Sequence, residues 1–402
     1  MATFTTRFLG CKVSFADAQA VRERLLGDGH LELPADAPGT DVAVVNTCCV
    51  THEAVSKSRQ ALSRAARGAA RVYATGCAAS LPGALEGLPA NVTVVPRTGE
   101  EAAAAVAGDV GAIGCVQAEH RLERVRAFVK IQDGCSFSCA FCVIPLVRGG
   151  TRSRRAAAVL AEVRRRAEQG HREIVLTGVN LGCFRDREAG YRLPRLVREA
   201  GAIPGVERLR LSSIEVNHLD AELVAALRET PAAAPHLHVP LQAGDDRVLR
   251  AMGRRYTVRQ YLARLRPLRE IGFNLTTDVI VGFPAEDERA FARTLRLVEQ
   301  AGLTKVHVFP YSPRPGTRTA AADTVPPAAK AERSARLRAL SDELCRRRWR
   351  GKLGRVEPVL VDRPGRGYAA DYTPWLVDAP VGALVRARAT GVAEEGVRAV
   401  AA

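Results

Sequence analysis

Apolar and polar positions change their period along this chain. Thr3–Leu9, Asp41–Thr47, Arg71–Thr75 and Val92–Val95 are short apolar runs that read as strands, while Asp17–Leu26, Glu53–Arg67 and Glu100–Ala107 repeat apolar residues at helical spacing. Strands alternating with helices predict a small parallel α/β sheet. A Gly-containing stretch with weak periodicity, Gly108 to about Glu119, reads as a linker. From Arg126 the alternation repeats six times, with strands near Arg126–Gln132, Glu173–Gly178, Val206–Leu211, His236–Pro240, Asn274–Val281 and Lys305–Phe309. Helices are expected at Ala157–Gln169, Asp220–Arg228, Tyr256–Ile271 and Glu286–Gln300. Six βα units are too few for a closed eight-stranded barrel but suit an open, partial one. A charged helix from about Ala328 to Arg350 follows, then short strands such as Val359–Val361 and Leu384–Arg388 split by Pro and Gly turns, which predict a small β-barrel. The expected domains are therefore 1–115, 121–350 and 351–402 of an α/β protein.

Composition sharpens this picture in two ways. At 402 residues and 47% hydrophobic content the chain can bury sizeable cores, and its net charge of +16 favours a polyanionic partner. No apolar run reaches the roughly 18 residues of a membrane span, and the first residues lack the apolar core of a signal peptide. The reading is a cytoplasmic protein with no membrane partner. In that reducing compartment ten cysteines are read as metal ligands or reactive thiols, not as disulfides.

Three of them, Cys135, Cys139 and Cys142, share one loop after the first barrel strand at C-x3-C-x2-C spacing. Structural zinc usually takes four ligands as two pairs, and ferredoxin-type runs add a fourth thiolate nearby. Here no cysteine follows until Cys183. Three thiolates on a four-iron cube leave one iron open for a ligand that is not protein. Upstream, Cys11, Cys48 and Cys77 each follow a predicted strand. Strand-end loops on one edge of a parallel sheet converge, so these three are expected around a second cluster. Cys49, Cys115, Cys183 and Cys345 carry no assigned role. In βα barrels reacting groups gather at the carboxyl ends of strands, so Thr177, Gly178, Ser212, Ser213, Gln242 and Gly282 are expected to face one cavity with the Cys135 loop. Arg148, Arg152, Arg154 and Arg155, the cluster Arg346–Arg348, and the rings of Trp349, Tyr368, Tyr372 and Trp375 are candidates for RNA contact.

The C-x3-C-x2-C loop resembles that of the radical S-adenosylmethionine (SAM) enzymes. Leu9-Gly10-Cys11-Lys12-Val13, Asn46-Thr47-Cys48, Thr75-Gly76-Cys77, Lys130 to Pro145, Arg148-Gly149, Leu211-Ser212-Ser213-Ile214-Glu215, His238-Val239-Pro240-Leu241-Gln242, Asp278 to Pro284 and Phe309-Pro310-Tyr311-Ser312 resemble, in order, the radical SAM tRNA methylthiotransferases. The tail, with Gly367 to Tyr372 and Gly391-Val392, resembles the TRAM RNA-binding module. Asn46 to Ala54 and Lys57-Ser58-Arg59-Gln60 look most like the branch acting on threonylcarbamoyladenosine beside the tRNA anticodon. Ser14, Cys49, Ala78, Ser80 and Ala243 depart from residues usual in the family.

The resemblance implies a fold of three parts: an N-terminal parallel α/β domain, a partial (βα)6 radical SAM barrel and a TRAM-like β-barrel. It implies two [4Fe-4S] clusters, SAM as cofactor with Thr177, Gly178, Ser212, Ser213, Glu215 and Gln242 as candidate contacts for this zwitterionic, ribose-bearing ligand, methylthio transfer to adenine C2, and the tRNA anticodon loop as partner. An electron donor of flavodoxin or ferredoxin type and a sulfur source are implied as well. Alternatives are a methylthiotransferase acting on isopentenyladenosine or on a ribosomal protein aspartate and, from another class, a non-catalytic iron-sulfur or zinc protein that binds RNA.

Overall fold

The computed structural model describes residues 1–35, 37–113 and 125–402. Cys115 and the second half of the expected linker lie outside the described residues. The chain folds into two compact units. The first joins the N-terminal segment to Asp133–Arg152 and Ser312–Ala321; the second holds the remaining barrel and the tail.

In the first unit β1 (Thr3–Phe8), α1 (Lys12–Gly27), β2 (Leu31–Glu32), β3 (Thr40–Thr47), α2 (His52–Ala66), β4 (Ala69–Gly76), β5 (Val92–Val94) and α3 (Gly99–Val110) follow one another. All neighbouring strands are parallel, in the order β2-β1-β3-β4-β5. The near-continuous apolar run of β3 reflects a strand covered on both faces. Ala43, Val45, Val72 and Ala74 pack on Ala61 and Leu62 of α2, while Phe4, Val42, Val44 and Tyr73 pack on Val21 and Leu25 of α1 and Val106 of α3. The short α4 (Ile144–Arg148) adds Val147, with Val143 before it, to the α2 side of this core. That packing places the cysteine loop in the first unit. Helix α1 starts five residues earlier than its apolar spacing predicts, because Asp17 occupies a core-facing position in line with Val13 and Val21.

The second unit begins with β6 (Arg126–Asp133), β7 (Arg152–Ser153), α5 (Ala156–Glu168) and β8 (Glu173–Gly178), then a hairpin of β9 (Arg185–Asp186) and β10 (Tyr191–Arg192). It continues through α6 (Leu193–Gly201), β11 (Arg208–Leu211), α7 (Ala221–Glu229), β12 (His236–His238), α8 (Asp246–Ala251), α9 (Val258–Glu270), β13 (Asn274–Val281), α10 (Glu288–Gln300) and β14 (Leu303–Pro310). Parallel pairings run β6-β8-β11 and β12-β13-β14, and a bridge between Ser213 and His238 links the two sets. These six strands form the expected partial barrel. Asp220, Asp245 and Asp287 cap α7, α8 and α10, and Thr257 with Gln260 closes a capping box on α9.

Helix α11 (Pro327–Arg350) runs along β14, where Ser341 Oγ accepts the Val306 amide at 3.0 Å and Cys345 Sγ donates to the Thr304 carbonyl at 2.9 Å. The tail closes into a barrel of β15 (Val356–Arg363), β16 (Arg366–Ala369), β17 (Pro374–Leu376), β18 (Leu384–Ala393) and β19 (Gly396–Ala401), in the order β15-β16-β17-β19-β18. Trp375, fully buried, fills it with Val359, Val361, Ala387 and Val397. The tail is fastened to the amino ends of the barrel strands. Arg208 and Arg210 share the buried Glu173 at 3.1 and 2.9 Å and donate onward to the Tyr368, Pro358 and Ala370 carbonyls. Burial pushes the Glu173 carboxyl up, but Arg210, Arg208 and Arg126 outweigh it and hold the group down at about 2. Asp371, clamped by Arg348 at 2.5 Å and Lys352 at 2.7 Å, is held at about 2 against burial in the same way.

Candidate metal centre

Cys11 is the N-cap residue of α1, Cys48 follows β3, and Cys77 follows β4, so neighbouring strands of one parallel sheet deliver all three at their carboxyl ends. Gly76 supplies the turn before Cys77: its φ is +87°, and a Cβ there would meet the Thr47 carbonyl oxygen at 2.7 Å. Ser58 of α2 pins Cys48 by accepting its amide at 3.0 Å and donating to its carbonyl at 3.2 Å. A Cβ built on Gly10 would lie 3.5 Å from the Cys48 Cβ, which brings the Cys11 turn against the Cys48 loop. Burial pushes the Cys48 thiol up to about 11, with the charges of Cys77 and Cys11 adding to the rise. The Cys77 thiol moves the other way, down to about 7, through a hydrogen bond from Cys49 and the guanidinium of Arg148, against burial. Its bond to Cys77, with burial, raises the Cys49 thiol, so Cys77 is the member of this pair that ionises first.

Cys135, Cys139 and Cys142 lie on the loop after β6, each half-buried and outside any disulfide. Gly134 is required at the start of this loop, where φ is +67° and a Cβ would fall 2.0 Å from the Gly150 carbonyl oxygen. The Cys135 amide donates to the Gly149 carbonyl at 3.0 Å, and the Phe137 amide reaches the Cys135 sulfur at 3.4 Å. Ser312–Ala321 touches both cysteine regions. Buried Arg314 donates to the Cys49 carbonyl at 3.2 Å, while Arg318 and Thr319 donate to the Ser138 and Ala140 carbonyls at 2.6 and 3.0 Å. Both trios thus belong to one compact unit and present sulfurs with no disulfide among them. Thiolates supported by amide and guanidinium donors suit iron-sulfur ligation.

In the second unit, Thr177 and Gly178 end β8, Ser212 and Ser213 follow β11, Glu215 follows them, and Gln242 lies beyond β12. All six therefore stand at the carboxyl ends of barrel strands. The buried Ser212 hydroxyl has no hydrogen-bond partner among the described residues, which suits a polar ligand. Gln242 has φ +69°, rare for a residue with a side chain, held by its amide donating to Asp278 O at 2.8 Å and its carbonyl accepting from Ile280 N at 2.9 Å. Glu215 forms a buried ion pair with Arg254, so its carboxylate is already engaged.

Other candidates fall elsewhere. Arg148 is buried and spoken for, which removes it from RNA contact. Arg154 bonds Glu162 at 2.6 Å and Arg155 pairs with Glu188. Trp375 is tail core, Trp349 packs on that core, and Tyr368 stacks on Tyr372 with their centroids 4.9 Å apart beneath Arg126. Exposed cations of the α11 end and the tail include Arg346, Arg347, Arg350, Arg386, Arg388 and Arg398. A group not singled out from sequence is His238, Asp278 and His307 on β12, β13 and β14, whose ligand atoms lie within 4.8 Å of one another. His238 is 3.1 Å from Asp278 through Nε2 and bonds Thr276 Oγ1 at 2.9 Å through Nδ1.

Comparison with known proteins agrees with this architecture. A model of the radical SAM superfamily matches residues 129–298, and one described as uncharacterized protein family UPF0004 matches residues 3–95. In fold the chain is similar to a radical S-adenosylmethionine methyltransferase, TsrM, of Kitasatospora setae, with a TM-score of 0.57 at 16% identity over 80% of this chain and 77% of that one. Barrel, cysteine loop and superfamily match define a radical SAM enzyme. Two curated relatives narrow the class. One from Chlamydia pneumoniae is 32% identical over 98% of this chain and 97% of its own length; one from Bacillus subtilis is 35% identical over 86% and 82%. Both bear the name threonylcarbamoyladenosine tRNA methylthiotransferase MtaB. The chain belongs to that family of radical SAM tRNA methylthiotransferases, and the alternative of a non-catalytic metal protein is set aside. No helix among the described residues is long and apolar enough to cross a membrane.

Proposed function

We propose that this enzyme converts N6-threonylcarbamoyladenosine at position 37, next to the tRNA anticodon, to its 2-methylthio derivative in the cytoplasm. The observation that carries the choice of nucleoside is the near full-length similarity to relatives named for it. Cys135, Cys139 and Cys142 would hold one [4Fe-4S] cluster and Cys11, Cys48 and Cys77 a second. With SAM bound, the cofactors supply a carbon-centred radical able to take hydrogen from an unactivated C–H bond, and a sulfur for transfer.

The protein supplies placement. Gly134 and the Gly149–Gly150 carbonyls fix the loop of the first trio, while Ser58 and Gly76 fix two members of the second. Ser212, Ser213 and Thr177 offer hydroxyls, Gly178 its backbone and Gln242 its side-chain amide to SAM at the strand ends. Glu215 contributes through its pair with Arg254. The TRAM-like tail, residues 351–402, and the end of α11 give tRNA an electrostatic surface through Arg346, Arg350, Arg386, Arg388 and Arg398, since each phosphate contact releases counterions. An electron donor of flavodoxin or ferredoxin type and a sulfur source complete the reaction.

Mass spectrometry of tRNA nucleosides from cells with and without the gene tests the proposal. Loss of the methylthio form of threonylcarbamoyladenosine supports it. Retention of that form with loss of the isopentenyl counterpart overturns it.

A further inference from the structure

We infer that Arg148 is a positioning residue that ties the two cysteine trios together and sets the reduction potential of the cluster on Cys11, Cys48 and Cys77. The inference rests on the two-cluster reading above.

The geometry is specific. Within the first unit the Arg148 guanidinium spends three separate N–H groups on three separate segments. Nε donates to Cys77 Sγ at 3.1 Å, Nη1 to Asp133 Oδ1 at 3.0 Å, and Nη2 to Asp17 Oδ2 at 2.8 Å. Asp17 lies on α1, the helix that Cys11 caps. Asp133 immediately precedes Gly134-Cys135, and the same Oδ1 accepts the Gly134 amide at 2.8 Å. Arg148 itself ends α4, just beyond Cys142. One planar fork thus joins a sulfur of one trio to the first residues of the loop bearing the other. The side chains of Arg148 and Asp17 are each only 1% exposed.

The chemistry follows from the charges. A buried guanidinium stays protonated, and its rigid fork fits several acceptors at once. Two carboxylates and a thiolate around one cation leave a net negative pocket when the thiolate is ionised. A donor aimed at a ligating sulfur stabilises the reduced, more negative cluster, and such bonds are among the levers that set cluster potentials. Removing Nε–H therefore lowers the midpoint. Removing the link to Asp133 frees the Cys135 loop from the Cys77 turn. Lysine can keep the charge but cannot make all three bonds in this arrangement.

The test uses full-length enzyme carrying Cys135→Ala, Cys139→Ala and Cys142→Ala, reconstituted with iron and sulfide so that only the second trio is loaded. The midpoint is read by redox titration with electron paramagnetic resonance, with and without Arg148→Gln or Arg148→Lys. Expected is a lower midpoint for both, larger for glutamine, of at least a tenfold change in the oxidised-to-reduced ratio at fixed potential, or about 59 mV for one electron. If glutamine prevents folding, the lysine variant gives the same readout. An unchanged midpoint at full iron content in a folded variant overturns the inference and leaves the two-cluster reading intact. Absence of iron from the parent that retains Arg148 defeats the two-cluster reading itself, and the inference with it.

Discussion

The two cysteine trios are assembled by opposite routes. Cys135, Cys139 and Cys142 sit on one local loop and are half-buried, so their spacing is written in the chain itself. Cys11, Cys48 and Cys77 come from separate strand ends, and the last two are buried, so the parallel sheet must form before they share one edge. A local trio can be read as a motif; a dispersed one is a property of the fold. The difference also concerns support. The loop depends on close backbone contact at Gly134, whereas the dispersed set depends on Ser58, Gly76 and Arg148.

The contrast can be broken most severely at the cysteines. Cys139→Ala is expected to abolish SAM cleavage, whereas Cys48→Ala is expected to retain it while losing methylthio product; chromatography of 5′-deoxyadenosine and nucleoside analysis read both. Equal loss of cleavage in the two variants would erase the distinction. Next in size, Gly134→Ala and Gly76→Ala should each cost about 3 kcal/mol or more through backbone collision and strain. Each should empty chiefly its own trio, as iron counts in the matching cysteine-deleted backgrounds would show.

Acid should strike elsewhere, in the arginine-clamped second unit. Glu173 is held at about 2 against an ordinary 4.5, and Asp371 at about 2 against 3.8. Because both values are lowered on folding, their contribution is complete above the unfolded values and drains away as pH falls from about 4.5 to 2. Chemical denaturation of Glu173→Gln should show a weaker pH slope in that window. Ser58→Ala is a smaller change, about 1–3 kcal/mol for an unmet Cys48 amide, measured by thermal unfolding of the apo chain. Smallest, Arg388→Ala should weaken tRNA binding with a salt slope reduced by about 1 and no effect on either cluster.

Much of this was legible before the fold was seen, for reasons that differ by element. The strands Glu173–Gly178 and Asn274–Val281 match residue for residue because apolar runs bounded by polar turns leave little choice of register. The short strands β16, β17 and β19 were not resolved from sequence, since their pairing in a closed barrel is decided by nonlocal contacts. The six cysteines stood out in the sequence as candidate ligands through spacing and equivalent strand-end positions. Arg148 was misread as an RNA contact because basic residues in a run look alike until burial separates them; Arg148 is buried while Arg152 is exposed. Its partner Asp17 did leave a mark. A carboxylate in the row of Val13, Val21 and Leu25 breaks an otherwise apolar helix face and requires a cation behind it.

The helix laid along β14 has a consequence for how such a protein survives at high concentration. An incomplete cylinder has raw margins, and an unguarded margin invites a neighbouring molecule to add itself as the next strand. Serine and cysteine side chains of α11 occupy backbone groups that an intruder would need, and the two-residue β7 blunts the opposite border. The cylinder can remain unclosed without becoming a seed for fibres.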